Sequence, residues 1–370
     1  MKLGLIVNPI AGMGGKVGLK GTDGVKILQR ARELGAKPEA PKKTIQALKM
    51  LAPLGAGLKI ITCPGDMGEN EALAAGFTPV VIGEPKEQTG PEDTEQAARL
   101  MLDQGIDLLL FAGGDGTARN IYNAVGTKLP ALGIPAGVKI HSAVYANHPR
   151  AAGQVALKYL QGQLETLTEA EVMDIDEEAF RQGYVTAELY GYLQVPQERQ
   201  LVQSLKSGRA EGDEAALAAI ADRVIEEMEP DILYIIGSGT SIRPIMTKLN
   251  LPNTLLGIDL VKNRRLVASD VGEQDILAHL DGQRAKIIVT VIGGQGYIFG
   301  RGNQQLSAEV IKRVGKQNIR IIATKNKIVS LDGQPLLVDT GDDELNALFN
   351  GYMRIVIGYN EEMMYKVKGL

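Results

Sequence analysis

One junction constrains this chain more than any other. The apolar run Ile106–Ala112, broken only by Asp107, passes straight into Gly113-Gly114-Asp115-Gly116-Thr117, and a helical stretch from Ala118 to Val125 follows. A short apolar run closed by glycine reads as a buried strand. A strand that enters a helix through a glycine-rich turn is the building unit of a parallel α/β sheet. The same alternation surrounds the junction. Leu3–Val7, Leu58–Thr62, Pro79–Ile82 and Ala131–Ile134 read as further strands, and Thr94–Gln104 has helical spacing. The first 149 residues are therefore expected to form an α/β domain with a parallel sheet, whose ligands lie beyond the carboxyl ends of the strands.

Residues 150–370 read as a second, β-rich domain with inserted helices. Val185–Val195 alternates β-formers and aromatics, and Asp213–Met228 is the clearest helical stretch. Strand-like runs follow at Ile232–Ile236, Thr254–Ile258, Lys286–Ile292, Ile319–Ala323, Leu336–Val338 and Arg354–Ile357. The last of these is a candidate for packing back on the first domain.

Composition narrows the class. The chain has 44 glycines in 370 residues, where average usage of about 7% would give about 26. The excess has no collagen period, so it points to local roles. A net charge of −4 argues against a nucleic-acid backbone as main partner. Cys63 is the only cysteine, so a cysteine-rich zinc site is excluded, and His141, His148 and His279 lack ligand spacing. The opening apolar run is too short for a signal-peptide core and no later one approaches a membrane span, so a cytoplasmic protein is expected.

Two loops carry phosphate-like chemistry. Asn8-Pro9-Ile10-Ala11-Gly12-Met13-Gly14-Gly15-Lys16 follows the first strand, yet Val17 breaks the dinucleotide fingerprint, and Ile10 and Val17 break the P-loop. An anion cradle of backbone N–H groups, or a tight turn, remains. In the Gly113–Thr117 loop, glycines permit close backbone approach and the helix start offers orphan N–H donors. An acid in such a loop fits Mg²⁺ or the proton of a substrate hydroxyl, with helix capping as the simpler alternative.

Phe111-Ala112-Gly113-Gly114-Asp115-Gly116-Thr117-Ala118-Arg119-Asn120 resembles the signature of the NAD kinase and diacylglycerol kinase superfamily. The Asn8-Pro9 loop resembles its opening Asn-Pro-x-x-Gly loop, and Leu132–Lys139, with Gly137, its strand and substrate loop. Leu19–Gly24, Leu255–Asp259 and Gly293–Gln305 are similar to the ATP-NAD kinase branch that includes the acetoin-catabolism X proteins. The resemblance spans nearly the whole chain.

It implies an NAD kinase-like fold and ATP-dependent (or polyphosphate-dependent) phosphorylation of the 2′-hydroxyl of the adenosine ribose of NAD, with Mg²⁺. Asp115 would be the catalytic base or metal ligand, so Asp115→Ala is expected to abolish turnover and leave the fold intact. Asn8, Gly12, Gly14, Gly113, Gly114, Gly116, Thr117, Asn120 and Gly137 would bind nucleotide. Asp176 and Glu177 stand where the family has an Asn-Glu pair for the dinucleotide, or form a solvated acidic turn. Gly237, Ser238, Gly239 and Thr240 resemble a dinucleotide-binding Gly-Ser-Thr element. Gly294, Gly296 and Arg301 lie in a fourth glycine-rich loop, where a guanidinium suits phosphate. Partners would be small molecules and a second copy of the chain, with neither nucleic acid nor membrane. Two other readings stay open: a lipid-type kinase of another hydroxyl, and a regulatory protein that binds nucleotide without turnover.

Overall fold

The computed structural model describes residues 1–19, 25–86, 89–137, 140–175, 187–198, 201–202, 213–254, 256–292 and 296–370. The chain divides into two compact units. The first is built mainly from Met1–Met13 and Lys37–Leu205, the second from Gly14–Lys20, Val25–Ala36 and Lys206–Leu370. The sequence reading sets the boundary at 149. The units divide instead after Leu205, and the Asn8–Lys16 loop is itself split after Met13.

In the first unit, β1 (Lys2–Val7), β2 (Lys59–Thr62), β3 (Val80–Val81), β4 (Leu108–Gly113) and β5 (Ala131–Pro135) form one sheet in the order β3-β2-β1-β4-β5, parallel throughout. Leu3, Leu5, Ile6 and Val7 of β1 and Leu108–Ala112 of β4 are fully buried. Strands covered on both faces need continuous apolar runs, which is why these could be read from sequence. From β1 the chain runs to β2 and β3 on one side, then crosses to β4 and β5 on the other. The switch between β1 and β4 therefore brings Asn8 and Gly113–Thr117 side by side at the carboxyl edge. An antiparallel pair, β6 (Leu167–Ile175) and β7 (Ala187–Pro196), completes the strands of this unit.

The second unit carries a nine-stranded mixed sheet. Its strands are β8 (Leu233–Ile236), β9 (Asp259–Lys262), β10 (Arg265–Ala268), β11 (Ala285–Thr290), β12 (Tyr297–Phe299), β13 (Ile319–Ile322), β14 (Leu336–Val338), β15 (Gly351–Val356) and β16 (Glu362–Gly369). The order is β10-β9-β8-β11-β13-β15-β16-β14-β12, with β8, β11, β13 and β15 parallel. Alternate residues face opposite ways. Leu233, Ile235, Ile287, Val289 and Ile321 join a core with Ile276, Val310 and Ile311, while Tyr234, Ile236, Ile288 and Ile322 join one with Leu217, Ile220 and Ile245. Helices thus cover both faces of this sheet.

The Arg354–Ile357 run lies in the second unit, where β15 pairs with β13 and β16. One expectation is corrected here: none of the described residues of the Thr254–Ile258 run is in a strand, and the strand starts at Asp259. The Asp259 carboxylate accepts Thr254 N–H at 2.8 Å and the Thr254 hydroxyl at 2.7 Å, which folds the preceding segment onto the side chain.

Past β5, the segment Val144–Ala146 runs alongside Gly133: Gly133 N donates to Val144 O at 2.9 Å and Ala146 N to Gly133 O at 3.0 Å. A Cβ on Gly133 would lie 2.1 Å from the buried Tyr145 ring. Gly133→Ala is expected to destabilise the chain by about 1–3 kcal/mol through overpacking, measured as a lower urea midpoint. Glu71, after β2, is only 2% exposed, and burial pushes its carboxyl from 4.5 up to about 7. Because the folded chain favours the protonated form, this stability is present at acid pH and lost as pH rises through the folded value. Urea midpoints for the wild type should therefore fall between about pH 4.5 and 7 relative to those of Glu71→Gln.

Candidate active site

The site of the first unit is built where β1 and β4 end. Asn8 N–H continues the ladder to Ala112 O at 2.9 Å. Its side-chain amide donates to the Thr117 hydroxyl at 3.0 Å, and its Oδ1 accepts Ile10 N–H at 3.3 Å. The first loop is thereby keyed to the first turn of helix Asp115–Val125. Gly113 permits that turn: a Cβ there would fall 2.2 Å from Thr117 Oγ1. Gly137 lies so close to Gly114 that a Cβ would sit 2.7 Å from the Gly114 Cα. Gly12 has φ +83°, and a Cβ would meet Ala136 O at 2.4 Å. Three loops converge because each contributes a residue without a side chain.

Asp115 opens the helix, yet it caps nothing; Gly114 holds the N-cap position. Its carboxylate reaches a later loop instead. Oδ2 accepts the backbone N–H of His141 at 2.7 Å. Oδ1 accepts the backbone N–H of Ser142 at 3.0 Å, and the Ser142 hydroxyl lies 2.7 Å away. That hydroxyl also sits 2.8 Å from Met173 O and accepts Met173 N–H at 3.0 Å, so β6 is tied into the same network. The Nδ1 atom of His141 stands 3.4 Å from Oδ2. The Tyr145 hydroxyl donates to Gly114 O at 2.5 Å, and its ring meets Phe111 edge-on at 5.3 Å.

A carboxylate offers about four lone-pair positions. Among the described residues, Ser142 lies against Oδ1 through its N–H and hydroxyl, and Oδ2 faces the His141 N–H, with His141 Nδ1 further off on the same side. Buried charge is tolerable only with such hydrogen bonding, and Asp115 is 7% exposed.

The expected residues fall into three groups. Asn8, Gly12, Gly113, Gly114, Asp115, Gly116, Thr117, Asn120 and Gly137 lie in the first unit, and all but Gly12 sit on or beside the β1 and β4 ends or face them. Gly14, Gly237, Ser238, Gly239, Thr240, Gly296 and Arg301 belong to the second unit. Asp176, Glu177 and Gly294 lie outside the described residues. In the second unit Ser238 Oγ donates to Gly302 O at 3.0 Å, joining the third and fourth loops. Arg301 is buried. Burial and the Asp339 carboxylate push the neighbouring Tyr297 hydroxyl up, with Arg301 acting in the opposite sense.

Residues 3–164 match the family model of the ATP-NAD kinase N-terminal domain, and residues 230–367 that of the ATP-NAD kinase C-terminal domain. The chain belongs to the ATP-NAD kinase family. No curated protein matches it. The family supports a phosphotransferase with small-molecule substrates. Among the described residues, no helix is long and apolar enough to cross a membrane.

Sequence reasoning missed Ser142 and Tyr145 in this member of the ATP-NAD kinase family, and found no ligand spacing around His141. Nothing in a lone Ser beside an apolar stretch announces a partner 27 residues away. The available signal was the demand of Asp115 itself, since a buried carboxylate needs donors. Asp115→Ala removes the acceptor of two backbone N–H groups as well as the chemical group. It should therefore cost about 2–3 kcal/mol of stability, seen in denaturant melts, where the sequence reading expects an intact fold.

Proposed function

We propose that the protein is an ATP-dependent NAD kinase, transferring the γ-phosphoryl group of ATP to the 2′-hydroxyl of the adenosine ribose of NAD. The observation that carries this reading is the buried Asp115 carboxylate, held by His141 and Ser142 at the switch point of a parallel sheet and among close-packed glycines. An acceptor aimed from the carboxyl edge suits a hydroxyl proton. The hydroxyl oxygen bonds to the γ-phosphorus as its proton passes to Oδ2, the bond from phosphorus to the β-phosphate oxygen breaks, and ADP leaves. Thr117, whose Oγ1 accepts from Asn8, keeps its own proton to donate to a phosphate oxygen. The backbone N–H groups of Gly116 and Thr117 open the helix and favour negative charge.

Among the described residues no group of three His, Cys, Asp or Glu could hold a metal. A Mg²⁺ that keeps most of its waters and rides on nucleotide phosphates needs only one protein carboxylate. Asp115 fits that modest demand, and the same carboxylate suits a hydroxyl proton. We assign it to the proton. Bound with ATP, Mg²⁺ would neutralise charge on the transferring phosphoryl group. Gly14, Gly237–Thr240, Gly294, Gly296 and Arg301 are further proposed to bind nucleotide, as are Asp176 and Glu177.

The test is direct. Purified protein with ATP, Mg²⁺ and NAD should form NADP, and Asp115→Asn, which retains one oxygen for Ser142, should lower kcat by about 10²–10⁴. Absence of NADP with the wild type would overturn the proposed activity. Unchanged kcat in the variant would remove the base role.

A further inference from the structure

Ser142 stands between two parts of the first unit that the kinase reading requires to act together. It is fully buried in the segment past β5. Among the described residues, its hydroxyl oxygen lies 2.7 Å from Asp115 Oδ1, 2.8 Å from Met173 O and 3.0 Å from Met173 N. Asp115 opens the helix after β4, and Met173 belongs to β6. One hydroxyl therefore touches both.

A hydroxyl carries one proton and two lone pairs. The Met173 N–H can only donate, so a lone pair receives it. The Asp115 carboxylate and the Met173 carbonyl then compete for the single proton. A carboxylate forms the stronger, charge-assisted bond, which sends the proton to Oδ1. Ser142 thus donates to the helix start while it accepts from the strand.

The strand needs such a tie at this point. The pairing of β6 with β7 shifts register between Val172 and Met173, and a bulge weakens the ladder beside it. Ala143 N–H donates to Glu171 O at 2.9 Å, so the two segments already run side by side. The Ser142 hydroxyl carries that contact past the shift to Met173. Two residues after Met173, β6 ends at Ile175, and Asp176-Glu177 follows directly in the sequence.

We propose that Ser142 is a positioning residue for phosphoryl transfer. Its hydroxyl locks the Asp115 carboxylate to β6, so that the proton acceptor and the strand leading to Asp176-Glu177 keep one fixed geometry. Ser142 acts through Asp115 and Met173 rather than on the substrate. The proposal rests on the reading of Asp115 as acceptor of the ribose hydroxyl proton.

A double-substitution cycle and hydrogen exchange on the full chain test it. With ATP, Mg²⁺ and NAD, Ser142→Ala should lower kcat about 10–100-fold and leave the KM for ATP within about threefold. Added to Asp115→Asn, the same substitution should lower kcat less than about threefold, because the group it positions is already disabled. A serine that only supports the fold would cost the same factor in both backgrounds. Exchange is read at one fixed interval below each melting temperature. Amides of β6 should exchange about tenfold faster in Ser142→Ala, with those of β1 unchanged. Should Ser142→Ala fail to fold, Ser142→Cys, whose thiol donates only weakly, takes its place in both arms. Equal losses in the two backgrounds, or unaltered exchange of β6, overturns the proposal and leaves the kinase reading standing. A wild type that forms no NADP, with β6 exchange accelerated in the variant, sinks the kinase reading while the lock itself stands.

Discussion

The hydrogen bonds that Asp115 accepts from His141 and Ser142 hold the first unit's functional edge in place. A carboxylate in this position would be intolerable in a dry interior without donors, and the donors come from a segment that the sheet alone does not position. Meeting that demand draws residues 141–142 to the start of the helix. Tyr145 then reaches the Gly114 carbonyl, and Gly133 accommodates its ring. One ionised group thus dictates the course of the chain for several residues after β5. The same bonds fix the orientation of the carboxylate at that edge.

Both sheets have a point where the chain reverses beside a central strand, although β9 runs antiparallel to β8 in the second. In each, the chain leaves one strand to one side and returns on the other, and polar groups collect at the carboxyl ends beside the reversal. They differ in what they present. The first presents the Asp115 carboxylate, and the second the Lys327 ammonium beside the Ser241 and Thr290 hydroxyls.

The parts legible in sequence were those whose burial is two-sided. β1 and β4 read as strands because helices cover both faces, and β8, β11 and β13 did so for the same reason. β16 escaped notice. Its residues Glu362–Gly369 alternate between exposed and partly or fully buried positions, so no apolar run marks it, although it pairs with both β15 and β14. Thr254–Ile258 failed in the other direction: it is apolar enough for a strand, but the Asp259 carboxylate competes for its backbone. The Gly113–Thr117 loop could be found from composition and position alone. Its partners could not, because Ser142 and Tyr145 are ordinary residues brought to the loop by contacts that only folding creates.

The glycine surplus resolves along the same line. Approach of backbone to phosphate is only one use for these residues. Gly113, Gly137 and Gly133 have ordinary backbone angles, and what excludes a side chain at each is a neighbouring part of the protein: Thr117, Gly114 and Tyr145. Many others, such as Gly35, Gly76, Gly105 and Gly126, adopt positive φ where helices end, with open space around them. A loop that must lie within van der Waals contact of another loop, and still leave its N–H groups facing outward, has no room for Cβ atoms on the inner side. The glycines of the first site therefore act first on the protein, by letting the Asn8, Gly114 and Gly137 loops close upon each other. That closure places Thr117 and the open face of Asp115 at one edge.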